Sequence, residues 1–209
     1  MIDSTVLLAF FSTSALLALS PGPDNLFVMA QSAQNGRMAG FLVTLGLATG
    51  LIGHTVAVAF GLAAIVHSSA LAFAILKGLG AAYLLYLAWL ALRAGASAGG
   101  GQEQLPALSR GSLYRRGIVM NLTNPKVSFF FMAFLPQFAD SRHGSMMVQF
   151  FLLGAVFIMA TLLVFGVISL LAGGFGDKFR NSTFARKVVN RIAAAVFVGL
   201  AIKLAISKR

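Results

Sequence analysis

The chain has 209 residues, 58% of them hydrophobic and only 10% charged, with a mean hydropathy of +0.88, where an ordinary soluble domain carries roughly 25% charged residues. That is the composition of a membrane protein of at most about six to eight apolar helices of 20 residues each, with no length left for a separate catalytic domain. The formal charge of +11 comes from 16 Lys and Arg against 5 Asp and Glu, and there is no cysteine; the basic residues gather between apolar runs rather than among exposed aromatics, which argues against nucleic acid, while the missing thiols exclude disulfides and Cys redox pairs.

Apolar runs bounded by charge or turn residues predict six membrane segments, at about 4–34, 39–66, 71–92, 117–138, 145–171 and 188–206. The first could be misread as a cleaved leader, since Ala18-Leu19-Ser20 offers small residues before a cut. It is expected to stay in the fold, because Met1-Ile2-Asp3-Ser4-Thr5 lacks a positive start and the rest of the chain is equally apolar. Near its middle stands Ser20-Pro21-Gly22-Pro23-Asp24-Asn25. Two prolines remove backbone donors and Gly22 adds freedom, so the helix should break here. The half-helix restarting at Pro23 has free N–H groups and a positive dipole end, suited to a carboxylate, and Asp24 beside it could take an ammonium. The plainer alternative is a kink with Asp24 as a cap. A charge near the bilayer centre, however, costs at least about 2.5–3.5 kcal/mol and points by default to function.

Segment two carries His54 near its middle, a packing histidine or a member of a proton relay. Its Gly46 and Gly50 form a small-xxx-small pair suited to close helix packing. Segment three holds Lys77, and after it comes Ala94-Gly95-Ala96-Ser97-Ala98-Gly99-Gly100-Gly101, which reads as part of a flexible linker over 93–116. Segment four repeats the break with Asn121-Leu122-Thr123-Asn124-Pro125-Lys126. Asn124 is pushed toward extended geometry by the proline, and Lys126 lies too far from either end to snorkel. The structural alternative is an Asp24–Lys126 ion pair that only holds the halves together. Segment six contains Arg191 and Lys203, which must snorkel to opposite interfaces, so a five-segment reading also stands.

The expected fold is therefore all-α and polytopic, one transporter domain over 1–209. Its first three-helix half is 1–92 and its second 117–209. Three crossings per half make the halves inverted repeats, with helices one and four broken at proline. No G-x-S-x-G elbow, Walker loop, H-E-x-x-H pair or dinucleotide fingerprint occurs. Three histidines and five carboxylates leave a metal site unsupported. The expectation is no enzyme, no cofactor and no metal, with membrane lipid and a small molecule as partners and the oligomeric state open.

At Leu19-Ser20-Pro21-Gly22-Pro23-Asp24-Asn25 and again at Asn124-Pro125-Lys126 the chain resembles the amino-acid exporters of the LysE/RhtB family. The likeness continues through Asn35-Gly36-Arg37, the Gly-rich run ending at His54, and Leu76-Lys77-Gly78-Leu79-Gly80-Ala81-Ala82-Tyr83. The resemblance implies a bacterial inner-membrane efflux carrier for amino acids or their analogues, driven by exchange for protons. It also implies that both breaks are transport elements. The candidate site is then Pro21, Gly22, Pro23, Asp24, Asn25, His54, Asn121, Asn124, Pro125 and Lys126. A metal-ion exporter of a related superfamily and a non-transporting scaffold subunit are the alternatives.

Orientation follows from the basic residues. With the amino terminus outside, Arg37, Arg93, Arg110, Arg115, Arg116, Lys178, Arg180, Arg186, Lys187 and Arg191 face the cytoplasm, ten against the four of Arg142, Lys203, Lys208 and Arg209. Alkaline-phosphatase fusions are therefore expected to be inactive near Gly100 and active at Arg209; the opposite pattern would reverse the orientation.

Overall fold

The computed structural model describes residues 2–20, 22–62, 70–94, 108–180 and 183–206. Pro21, the linker positions 95–107 and the basic end at Lys208 and Arg209 lie outside the described residues. Among the described residues every regular element is helical: α1 Ser4–Leu19, α2 Pro23–Asn35, α3 Arg37–Ala57, α4 Ala70–Ala94, α5 Arg110–Leu122, α6 Pro125–Phe129, α7 Met146–Arg180 and α8 Thr183–Ile206. A π turn over Val58–Leu62 prolongs α3, and π and 3₁₀ turns over Phe130–Phe134 and Leu135–Phe138 prolong α6.

Both expected breaks are present. The axes of α1 and α2 meet at 64° and those of α5 and the α6 run at 48°. Asp3 starts α1 by accepting the Thr5 N–H at 2.7 Å. Gly36, at φ +82°, turns the chain from α2 into α3 in a region where a side chain would be strained. Three helices exceed the span expected of them. Ser109 caps α5 through the Ser112 N–H, so Arg110, Arg115 and Arg116 ride on its first turns instead of a loop. Similarly α7 runs on to Arg180 and α8 begins at Thr183. Apolar runs end at the first charge, whereas backbone hydrogen bonding continues past it.

Arg37–Gly61 and Met146–Gly173 are each long and apolar enough to cross a membrane, and each bent pair adds one more candidate, four in all among the described residues. Large apolar side chains stand on their outer faces, including Leu45, Ile52, Leu163 and Val167. In a membrane protein these meet lipid. Lys203, expected to snorkel, lies over the Phe138 ring with Nζ 4.1 Å from its centre. The turn before α7 is clamped by Gln149, whose amide donates to the carbonyls of Asp140 and Gly144. There the Arg142 guanidinium, 2.6 Å from Asp140, holds that carboxyl down to about 2.

The packing places α3 against α5 and α7, with α7 also covering α1 and α2, while α4 pairs with α8. Glycine sets the closest crossing. A Cβ on Gly117 of α5 would collide with the Val43 carbonyl, and one on Gly50 of α3 would come 2.7 Å from the Asn121 Cβ. The Gly46/Gly50 pair thus finds its partner in Gly117, one turn before Asn121. Two apolar cores result. One is aromatic, with Phe10 edge-on to Phe138 at 5.0 Å and Phe157 between Phe130 and Phe131 at 5.2 and 5.1 Å. The other holds Phe27, Val28, Val43, Leu47 and Phe165.

Backbone-to-backbone contact leaves Gly117 no room to yield, so Gly117→Ala is expected to cost about 1–3 kcal/mol by overpacking. Gly199→Ala, with nothing within 4 Å of the added carbon, should be neutral. Thermal unfolding of the purified protein in detergent distinguishes them.

Candidate functional site

The breaks in the two halves meet between the two cores. On the first, α1 ends at Leu19, and α2 restarts with Pro23 at its first position behind an extended Gly22. Asn25 reaches back across the gap, its amide donating to the Ala18 carbonyl at 2.6 Å. On the second, Asn124 adopts the extended backbone expected before proline, and its Oδ1 caps α6 by accepting the Lys126 N–H at 3.0 Å.

Each break then contributes to the other. The Asn124 amide donates to Asp24 Oδ2 at 2.8 Å. Lys126 Nζ donates to the Leu17 carbonyl at 3.2 Å, the Ser20 carbonyl at 3.1 Å and Ser20 Oγ at 3.2 Å. An ammonium has three donors, and all three are used on the open, negative end of α1. Lys126 is 6% exposed and Asp24 3%. The ion pair held as the structural alternative is not formed within 4 Å: among the described residues, ion pairs join Asp140 to Arg142 and His143, and Asp24 and Lys126 bond to different partners. His54 serves the second break as Lys126 serves the first, its Nε2 lying 3.1 Å from the Asn121 carbonyl at the end of α5.

Among the described residues, three buried side-chain oxygens here have no partner: Asp24 Oδ1, Asn25 Oδ1 and Asn121 Oδ1. Beside them lies a cavity of about 20 Å³, lined by Asp24, Asn121 and Lys126 and by Phe157, Thr161 and Phe165 of α7. A water needs roughly 10–15 Å³, so the space has room for about one water. The cavity sits between the cores, with Phe157 belonging to one and Phe165 to the other.

Of the residues singled out in the sequence, Gly22, Pro23, Asp24, Asn25, Asn121, Asn124, Pro125 and Lys126 converge. His54 joins through a carbonyl, and Pro21 lies outside the described residues. The reading missed Ser20 as an acceptor for Lys126, although it stands inside the motif. It also missed Thr161, a single hydroxyl in the run Ile158-Met159-Ala160-Thr161-Leu162 that no charge or proline marks.

The model of the LysE type translocator family matches residues 15–208. The chain is 39% identical to a homoserine/homoserine lactone efflux protein of Salmonella typhimurium over 158 residues, 75% of each chain. It is 31% identical to an uncharacterized membrane protein of Vibrio cholerae over 211 residues, 99% of each. An uncharacterized membrane protein of Bacillus subtilis matches at 30% over 209 residues, 96% of this chain and 99% of that one. No solved structure matches. The chain belongs to the LysE type translocator family.

The separate partners of the two charges lead to distinct expectations. Asp24→Asn can still accept from Asn124, so the protein should reach the membrane at normal level. Lys126→Met takes the donor from the buried Ser20 carbonyl, at about 1–3 kcal/mol, and removes one of the donors to Leu17, so protein level should fall. Because no hydrogen bond joins the two charges and each has its own partners, the double mutant Asp24→Asn/Lys126→Met should recover neither level nor transport. Recovery, read by immunoblot and export assay, would restore the ion-pair interpretation.

Proposed function

We propose that this member of the LysE family is a secondary transporter that exports amino acids or their analogues from the cytoplasm of a bacterial cell across its inner membrane, in exchange for protons. The observation that carries the reading is the pair of facing helix breaks, with Asp24 Oδ1 buried and unpartnered beside a cavity between two apolar cores. A carboxylate oxygen at that depth calls for a donor, and a substrate ammonium or a proton can each supply it. Since they compete for one oxygen, loading substrate displaces the proton and release lets it return, which is exchange by mutual exclusion. The substrate carboxylate goes to the N-terminal turn of α2, where Gly22 provides no side-chain cap. There Lys126 Nζ, only 3.2 Å from where a Gly22 Cβ would stand, adds positive charge. The efflux of homoserine and its lactone for which the Salmonella relative is named fits a small substrate of this kind.

The same reading takes α4 and α8 as the third and sixth spans, completing two inverted three-helix halves. The contact pattern supports it. The second span packs on the first half of the broken fourth as the fifth packs on the broken first, and the third and sixth pack on each other. Rocking the halves would open the cavity alternately past Phe165 and past Phe157.

Export should depend on the proton gradient. In reconstituted vesicles loaded with a labelled amino acid, an imposed pH gradient is expected to drive release against a substrate gradient, and collapsing it should stop release. Uphill release with neither a pH gradient nor a membrane potential would overturn the coupling.

A further inference from the structure

We infer that Thr161 of α7 determines which substrate side chains are carried, favouring small ones that bear a hydroxyl or similar hydrogen-bonding oxygen. The inference rests on the export reading above and adds the part of the site that recognises the side chain. Hydroxyls in apolar helices usually satisfy themselves on the carbonyl four residues earlier. Ser14, Thr44, Thr55 and Ser128 do so here, at 2.7, 2.9, 2.8 and 3.1 Å. Thr161 does not. It is 2% exposed and lines the cavity, and its hydroxyl makes no hydrogen bond among the described residues. A buried hydroxyl without a partner is costly, and the space it faces is the one that holds the free oxygen of Asp24.

The register of α7 reinforces this. Phe157, Thr161 and Phe165 recur every four residues and so share one face, which puts the hydroxyl at the level of the cavity with an aromatic ring on either side along the helix. With the ammonium on Asp24 and the carboxylate at the start of α2, both from the first half, the opposite wall is α7 of the second half, with Asn121, Lys126 and Val127 beside it. A side chain extending from the α-carbon toward that wall meets two rings and one hydroxyl. An apolar side chain leaves the hydroxyl unpaired, whereas one with an oxygen pairs with it. Ser169, the other unbonded hydroxyl of α7, does not line the cavity, and its oxygen is packed against Gly40, so it is no competitor for this role.

The test is equilibrium binding of labelled amino acids to the purified full-length protein, using two pairs in which a methyl replaces a hydroxyl: threonine against valine, and homoserine against norvaline. The wild type is expected to prefer the hydroxylated member of at least one pair by about tenfold, the order of one hydrogen bond. Thr161→Val should reduce that preference to near unity and Thr161→Ser should retain it, with immunoblot and size-exclusion profiles confirming that both variants fold. A ratio unchanged in Thr161→Val, or no preference in the wild type, overturns the assignment while leaving amino-acid export standing. Failure of the wild type to bind any of the four overturns the amino-acid reading and this assignment with it.

Discussion

A lysine ammonium at membrane depth must be satisfied completely, and the open end of a broken helix must be satisfied too. In this protein each requirement answers the other. The proline-rich break in the first half leaves the end of α1 short of backbone donors, with Ser20 turning back onto the Leu17 carbonyl, and Lys126 from the second half donates to the Leu17 and Ser20 carbonyls. The reciprocal break positions Asn124 to hold Asp24. His54 attends the carbonyl end of α5 in the same manner. The rest of the centre follows from this arrangement. The halves are joined by hydrogen bonds from charged or polar groups to backbone ends, and one oxygen of Asp24 is left over for other chemistry.

Close backbone approach makes that geometry reachable. Asn121 and Lys126 could not arrive at the centre if α5 stood at an ordinary helix separation from α3. Gly46 and Gly50 on one side and Gly117 on the other remove the side chains that would hold them apart. The same contact fixes the height of Asn121 against α3, and hence the level at which the cavity forms.

Much of this was legible in the sequence, for identifiable reasons. Proline and glycine act locally, so the interruptions at Gly22–Pro23 and Asn124–Pro125 could be located from the chain alone, as could the charges following them. The partners could not. Lys126 bonds to backbone oxygens, which every residue has, so nothing in the sequence distinguishes Leu17 as an acceptor, and opposite signs suggested pairing with Asp24 instead. Thr161 was hidden for a related reason: a threonine in an apolar helix normally bonds to its own backbone, and only the three-dimensional arrangement shows that this one does not. The early starts of α5 and α8 escaped because hydropathy reports where lipid contact ends, not where the helical backbone ends.

The two cores on either side of the cavity differ in how much they bury. Beyond Phe157 lies a stack of phenylalanines including Phe10, Phe130, Phe134 and Phe138, while beyond Phe165 lies a smaller group of mostly aliphatic residues. Separating the aromatic side would forfeit more contact area than separating the other, so the two sides of the cavity are unequally held. Any motion that parts the molecule at the cavity therefore meets less resistance on the Phe165 side, while the stacked rings hold the Phe157 side together.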